Sequence, residues 1–164
     1  MRFELIDRIT EFEPGVRIVG HKALSLAEEY LADHFPAFPV LPGVLMLEAM
    51  TQASAWLALA KLDFGVSCAV LKEARNVTYK SFLAPGQTLT IESECKRLAA
   101  EESEYAARGT LEGREIVKAR ITLRHLNLVE AAAAPSEVDA RLREWMRRRL
   151  ALLLGAHSVA AVAG

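Results

Sequence analysis

Apolar and polar residues alternate from Phe3 to Phe12, break at Glu13, Pro14 and Gly15, and alternate again to Leu24. That pattern predicts two strands, over residues 2–12 and 16–24, around a turn. Ser25 and Glu28 have the spacing of a capping box and predict a short helix over residues 26–32. Pro36, Pro39 and Pro42 then exclude a helix, so His34 to Leu41 is expected as an extended loop, with Pro42 suited to the first turn of the next element. From Gly43 to about Leu62 the residues are helix formers, apolar on nearly every side. A helix of that kind is expected to be buried all round.

Alternation returns after the helix. "AVLKEARNVTYKSFL" reads as a long strand ended by Pro85 and Gly86, and "TLTIESECKRL" as another. "SEYAARGTL" and "REIVKARITLRHL" flank Glu112 and Gly113, a hairpin signal. In the last strand Val117, Ala119, Ile121, Leu123 and His125 share one face. The fold class is therefore α+β, an antiparallel sheet wrapped around one long central helix. Residues 131–135 look like a linker, with a cap pattern at Ser136 and Asp139. Residues 137–154 read as a second, amphipathic helix whose Trp145 side packs on the body or on a neighbouring subunit. The division expected is a main domain over 1–130 and a linker with a C-terminal helical extension over 131–164.

Composition narrows the function. With 164 residues, 52% of them hydrophobic, the chain can bury a substantial core, and a net charge of −1 argues against a dedicated nucleic-acid binder. Cys68 and Cys95 both fall in strand-like segments, which fits a reducing, cytoplasmic setting better than a disulfide framework. The charged, alternating start does not read as a signal peptide, and Glu48, Thr51 and Gln52 interrupt the apolar helix, so no membrane span is expected. The histidines and cysteines show no metal spacing, and no phosphate loop appears; neither metal nor cofactor is expected. Asp7 and Arg8 are read as a structural pair.

The chemistry concentrates in "HFPAFPVLPGVLMLEAMTQ". An imidazole titrates close to neutral pH, so His34 suits a general base. Glu48 lies in the most apolar helix of the chain, where desolvation would keep a carboxyl protonated and able to act as an acid. Pro42 has no N–H, but the amides of Gly43 and Val44 point out of the helix start, where the dipole favours negative charge. Gln52 lies one turn beyond Glu48 on the same face, placed to orient the carboxylate or to make a structural hydrogen bond.

This stretch resembles the signature of the 3-hydroxyacyl-[acyl-carrier-protein] dehydratases, the FabZ/FabA-type hotdog enzymes: His34, Phe35, Pro36, Pro39, Pro42, Gly43, Val44, Leu45, Glu48, Ala49 and Gln52 match in order and spacing. "FELIDRITEFEPG" and "VTYKSFLAPGQTL" resemble two further family segments, and the resemblance covers roughly residues 3–128. It departs at Ala37 and Phe38, where the family usually has Gly and His, and at Asp33. The resemblance implies a hotdog fold and reversible dehydration of (3R)-3-hydroxyacyl thioesters, with His34 as base, Glu48 as acid and the Gly43 and Val44 amides on the thioester oxygen. It further implies an acyl carrier protein as substrate carrier and a homodimer with shared active sites, extendable to a trimer of dimers. Two other readings stay open: a hotdog thioesterase, which does not require the histidine, and a non-catalytic acyl-binding homologue. Arg147, Arg148 and Arg149 would suit an acidic carrier protein, but a solvated helix face is the simpler reading.

Overall fold

The computed structural model describes residues 3–132, 135 and 137–155. Six strands, β1 (Arg8–Glu13), β2 (Arg17–Ala23), β3 (Cys68–Tyr79), β4 (Thr88–Leu98), β5 (Glu102–Leu111) and β6 (Arg114–Leu126), form one sheet. Its order is β1-β2-β4-β5-β6-β3, antiparallel throughout. Helix α1 (Gly43–Lys61) lies across the concave side, and α2 (Leu128–Ala132) and α3 (Glu137–Leu154) follow the sheet. This is the α+β arrangement that the alternation predicts.

The alternating strands fold where their patterns place them. In β4, Leu89, Ile91 and Ser93 are buried; in β6, Val117, Ala119, Ile121, Leu123 and His125 are. The β5–β6 hairpin turns on Glu112 and Gly113, both at positive φ (50° and 78°), which suits a tight two-residue turn. Ala49, Met50, Ala53, Leu57 and Ala58 of α1 pack into this inner face. One polar pair crosses the core: Ser54 on α1 and Ser93 on β4 share a hydrogen bond of 2.7 Å, and the Ser54 hydroxyl also lies 2.8 Å from the Met50 carbonyl.

Several boundaries differ from expectation, each for a tertiary reason. The first strand starts at Arg8 rather than residue 2, because Gln52 takes the backbone before it: the Leu5 N–H donates to Gln52 Oε1 (2.9 Å) and Gln52 Nε2 donates to the Phe3 carbonyl (2.8 Å). The expected helix over 26–32 is only a 3-10 turn at Glu29–Ala32. Ser25 accepts from the Ala27 N–H, and the Glu28 carboxylate turns away to Lys22 Nζ at 2.7 Å, so no capping box forms. Asp7 pairs with Lys22 and accepts from the Ala23 N–H, not with Arg8. The third strand ends at Tyr79, and the stretch after it reaches across to the loop before α1, where the Leu83 carbonyl accepts from the Leu41 N–H (2.8 Å).

Helix α1 is not buried all round. Val44 is 69% exposed, and Leu47, Glu48, Gln52, Ala55 and Trp56 are only half-buried, so one stripe faces out of the single chain. By length and composition the helix could cross a membrane, yet half of the apolar window lies buried inside this fold.

The terminal helix α3 packs onto the body through Met146, Leu150 and Leu153, all buried in the common core. Trp145 itself stays 47% exposed in the single chain. Four of the helix's five arginines are engaged within the chain: Arg143 with Asn127, Arg147 with the Asp63 carbonyl and the Phe64 ring, Arg148 with Glu144, Arg149 with Glu4. Asp139 accepts from the Leu128 and Val129 amides and so caps α2 rather than its own helix. Ser136 of the expected cap, His157 and the 156–164 tail lie outside the described residues.

Candidate active site

The loop from His34 to Leu41 is held by its own backbone. The Val40 N–H donates to the His34 carbonyl (3.1 Å), and Phe35 and Phe38 exchange backbone hydrogen bonds; the His34–Phe35 peptide bond is cis. His34 Nδ1 lies 3.2 Å from the Val40 carbonyl. A carbonyl can only accept, so Nδ1 carries the hydrogen and Nε2 keeps its lone pair free. The Phe35 ring stacks on the imidazole with centroids 4.3 Å apart.

Helix α1 starts directly after this loop. The Leu45 and Met46 amides both turn back to the Pro42 carbonyl, at 2.9 and 3.2 Å. Among the described residues the Gly43 and Val44 amides make no hydrogen bond within the chain, so both point outward at the positive end of the helix. Gly43 has a second reason to be glycine: a Cβ there would stand 3.0 Å from the Tyr79 ring at the end of β3. Burial pushes the Tyr79 phenol above its ordinary range.

One turn into α1, Glu48 Oε1 accepts from Gln52 Nε2 at 2.9 Å. Gln52 is therefore a hub. Its amide group holds Glu48, the Phe3 carbonyl and the Leu5 N–H together. Among the described residues no Lys, Arg or His forms an ion pair with Glu48, and no hydrogen bond joins His34 to Glu48 within one chain. Beside Gln52, Phe3 stacks on Tyr30, whose phenol is pushed up by burial and then by the charges of Glu28 and Asp7.

The rim is apolar and open. Phe35, Phe38, Val44 and Phe82 are all more than half exposed, and Phe38 meets Phe82 edge to face at 5.9 Å. Of the residues singled out from the sequence, Val44, Glu48 and Gln52 thus lie along one face of α1, Gly43 is its first residue, and His34 sits in the loop before it. Sequence reasoning missed Val40, which presents a backbone carbonyl that no side-chain motif announces. It also missed Tyr79, whose only signal was an aromatic residue near the end of "NVTY".

Residues 1–120 match the model of the FabA-like domain. The chain belongs to the FabA-like dehydratase family. It is 38% identical over 109 residues to the 3-hydroxyacyl-[acyl-carrier-protein] dehydratase FabZ of Chloroflexus aggregans, covering 66% of this chain and 76% of that one. It is 35% identical over 123 residues to the FabZ of Bordetella parapertussis, covering 71% and 82%. In fold the FabA-like chain is similar to the dehydratase heterocomplex ApeI:P from Xenorhabdus doucetiae, with a TM-score of 0.65 at 15% identity over 79% of this chain and 87% of that one. The expected hotdog architecture is thereby met. The family match ends before α2 and α3.

Proposed function

We propose that this FabA-like chain interconverts (3R)-3-hydroxyacyl thioesters carried on acyl carrier protein and the trans-2-enoyl thioesters, with loss of water, in cytoplasmic fatty-acid-type biosynthesis. His34 Nε2 takes the proton from C2. The C–H electron pair becomes the C2–C3 double bond as the C3–O bond breaks, and the Glu48 proton joins the departing hydroxyl to leave as water. The proton on the imidazole then passes through solvent to the Glu48 carboxylate, restoring both groups. Run backwards, the same steps hydrate the enoyl thioester. The Gly43 and Val44 amides donate to the thioester oxygen as negative charge builds there. Gln52 fixes the direction of the Glu48 carboxyl.

The observation that carries this reading is the hydrogen bond from His34 Nδ1 to the Val40 carbonyl, which commits the imidazole to act through Nε2. The family relatives' own names, FabZ dehydratases, support the same reaction. The working unit is a homodimer in which His34 of one chain faces Glu48 of the other. Supporting it are the absence, among the described residues, of a hydrogen bond between His34 and Glu48 within one chain, the outward stripe of α1, and β3, a twelve-residue strand at the open edge of the sheet with Val70, Leu71 and Tyr79 exposed. A trimer of such dimers is the larger assembly.

The deciding experiment supplies a trans-2-enoyl carrier thioester and follows the absorbance of the conjugated enoyl group. Dehydratase activity lowers it to an equilibrium that the 3-hydroxyacyl thioester approaches from the other side. Release of free thiol would establish a thioesterase instead, and an unchanged spectrum would establish binding alone.

A further inference from the structure

The helix α3 lies beyond the part of the chain that matches the family model, and nothing in the dehydratase reading uses it. Yet it flanks the far end of the outward stripe of α1, from Gln52 onward. Between them is a cleft of about 220 Å³, walled by Phe3, Gln52, Trp56 and Leu59 on one side and by Trp145 and Met146 on the other. We propose that α3 is a wall of the substrate site: this cleft receives the distal end of the acyl chain, and Trp145 sets which chain lengths are accepted. The inference rests on the dehydratase reading for the identity of the chain it holds.

Three observations carry it. The cleft starts one side chain away from the acid: Gln52 is at once part of its wall and the hydrogen-bond partner of Glu48. Glu48, Gln52, Trp56 and Leu59 follow at helical spacing, so one stripe of α1 leads from the carboxyl into the cleft and continues for about 10 Å beyond Gln52 at 1.5 Å per residue. The lining is apolar, and its two charges, Arg149 and Glu4, neutralise each other at 2.8 Å. The far wall is also fixed in place. Met146 and Leu153 are buried, and Arg143 and Arg147 tie α3 to Asn127 and Asp63, so the space stands open before any ligand arrives. A preformed apolar slot favours a hydrocarbon over any polar ligand.

The two tryptophans of the chain, Trp56 and Trp145, both line this cleft, so intrinsic fluorescence reports on it directly. The test uses the full-length protein and two pairs of probes: butyryl- and decanoyl-pantetheine for binding, and 3-hydroxybutyryl and 3-hydroxydecanoyl carrier thioesters for turnover. Decanoyl-pantetheine is expected to shift tryptophan emission, and butyryl-pantetheine is not. In Trp145→Ala, kcat/KM for the long substrate over the short one should fall by about tenfold, with Trp145→Phe intermediate. Leu152→Ala, exposed on the same helix and outside the cleft, should leave the ratio as in the parent protein. A ratio within about twofold of the parent in Trp145→Ala, or equal emission changes for both pantetheine thioesters, overturns the proposal. So does emission that tracks protein concentration and not acyl length, which would place a second copy of the chain in the cleft. If neither carrier substrate turns over in the parent protein, the dehydratase reading fails, and the emission contrast alone decides whether the cleft holds an acyl chain.

Discussion

Gln52 Nε2 stands 2.9 Å from Glu48 Oε1 while the same amide nitrogen donates to the Phe3 carbonyl. One side chain thus aims the candidate acid and fastens the N-terminal segment. Gln52→Ala should do two separable things. It strands the Leu5 N–H of a buried residue, at a cost of about 1–3 kcal/mol, read as a lower urea midpoint. It also frees Glu48 to rotate and should lower kcat by about tenfold or more, as loss of a supporting hydrogen bond does. A variant with the stability loss and parental kcat would reduce Gln52 to a structural clamp.

His34→Ala and Glu48→Ala should each lower kcat by about 100-fold or more, in the range expected for loss of a general acid or base. The sharper measurement mixes them. If each site draws His34 from one chain and Glu48 from the other, a mixed dimer of the two variants has one intact site. An equimolar mixture after subunit exchange should then regain about one quarter of parental activity, half the dimers being mixed with one working site each. No recovery, with exchange verified by mass, would place both groups in the same chain.

Gly43→Ala puts a methyl group 3.0 Å from the Tyr79 ring. Overpacking there should cost about 1–3 kcal/mol in thermal denaturation, and activity should fall with it as the helix start shifts. Adding Tyr79→Leu should recover part of both losses. If the double variant is no better than the single one, Gly43 matters for its open backbone and not for the room the ring takes.

Ser54 and Ser93 form a closed polar pair in the core. Removing Ser54 strands the Ser93 hydroxyl, whereas Ser93→Ala leaves Ser54 its bond to the Met50 carbonyl, so Ser54→Ala should cost about 1–3 kcal/mol, Ser93→Ala less, and the double variant less than their sum. Urea titrations of all three proteins measure the coupling. Strict additivity would mean that the two hydroxyls are satisfied independently.

Glu92 on β4 is gripped by Arg108 of β5 and Arg17 of β2, and the Arg108 hydrogen bond holds its carboxyl below the usual 4.5. A carboxyl whose value is depressed in the folded state lends stability above its unfolded value and loses it as pH falls through the folded one. The parent should therefore exceed Glu92→Gln in urea midpoint near neutral pH, by a modest amount for so exposed a group of charges, and the gap should close below about pH 4.5. A gap independent of pH would mean that shape, not charge, matters at this position.

Much of this was readable beforehand wherever the cause was local. The strands Thr88–Leu98 and Arg114–Leu126 and the turn at Glu112 and Gly113 follow from alternation and turn chemistry, and the bounds of α1 and α3 from helix-forming runs flanked by breakers. What escaped was decided at long range. The start of β1 depends on a glutamine 47 residues away from Leu5, and the end of β3 on the Leu83 carbonyl turning to Leu41. The half-open face of α1 escaped for another reason: apolarity measures what a residue prefers, and a second chain or a ligand satisfies it as well as this chain's own sheet. In the candidate site, side chains were legible and backbone was not. His34 and Glu48 stand out by type and spacing, whereas any residue could offer the carbonyl that Val40 supplies.

Tyr79 closes the exposed border of the sheet, and its ring leans on the first residue of α1. Whatever zips onto that border grips the backbone that carries this ring, and so reaches the spot where the Gly43 and Val44 amides point outward. In the proposed dimer, a seam along that border would be anchored to the cradle in which a growing negative charge would come to rest.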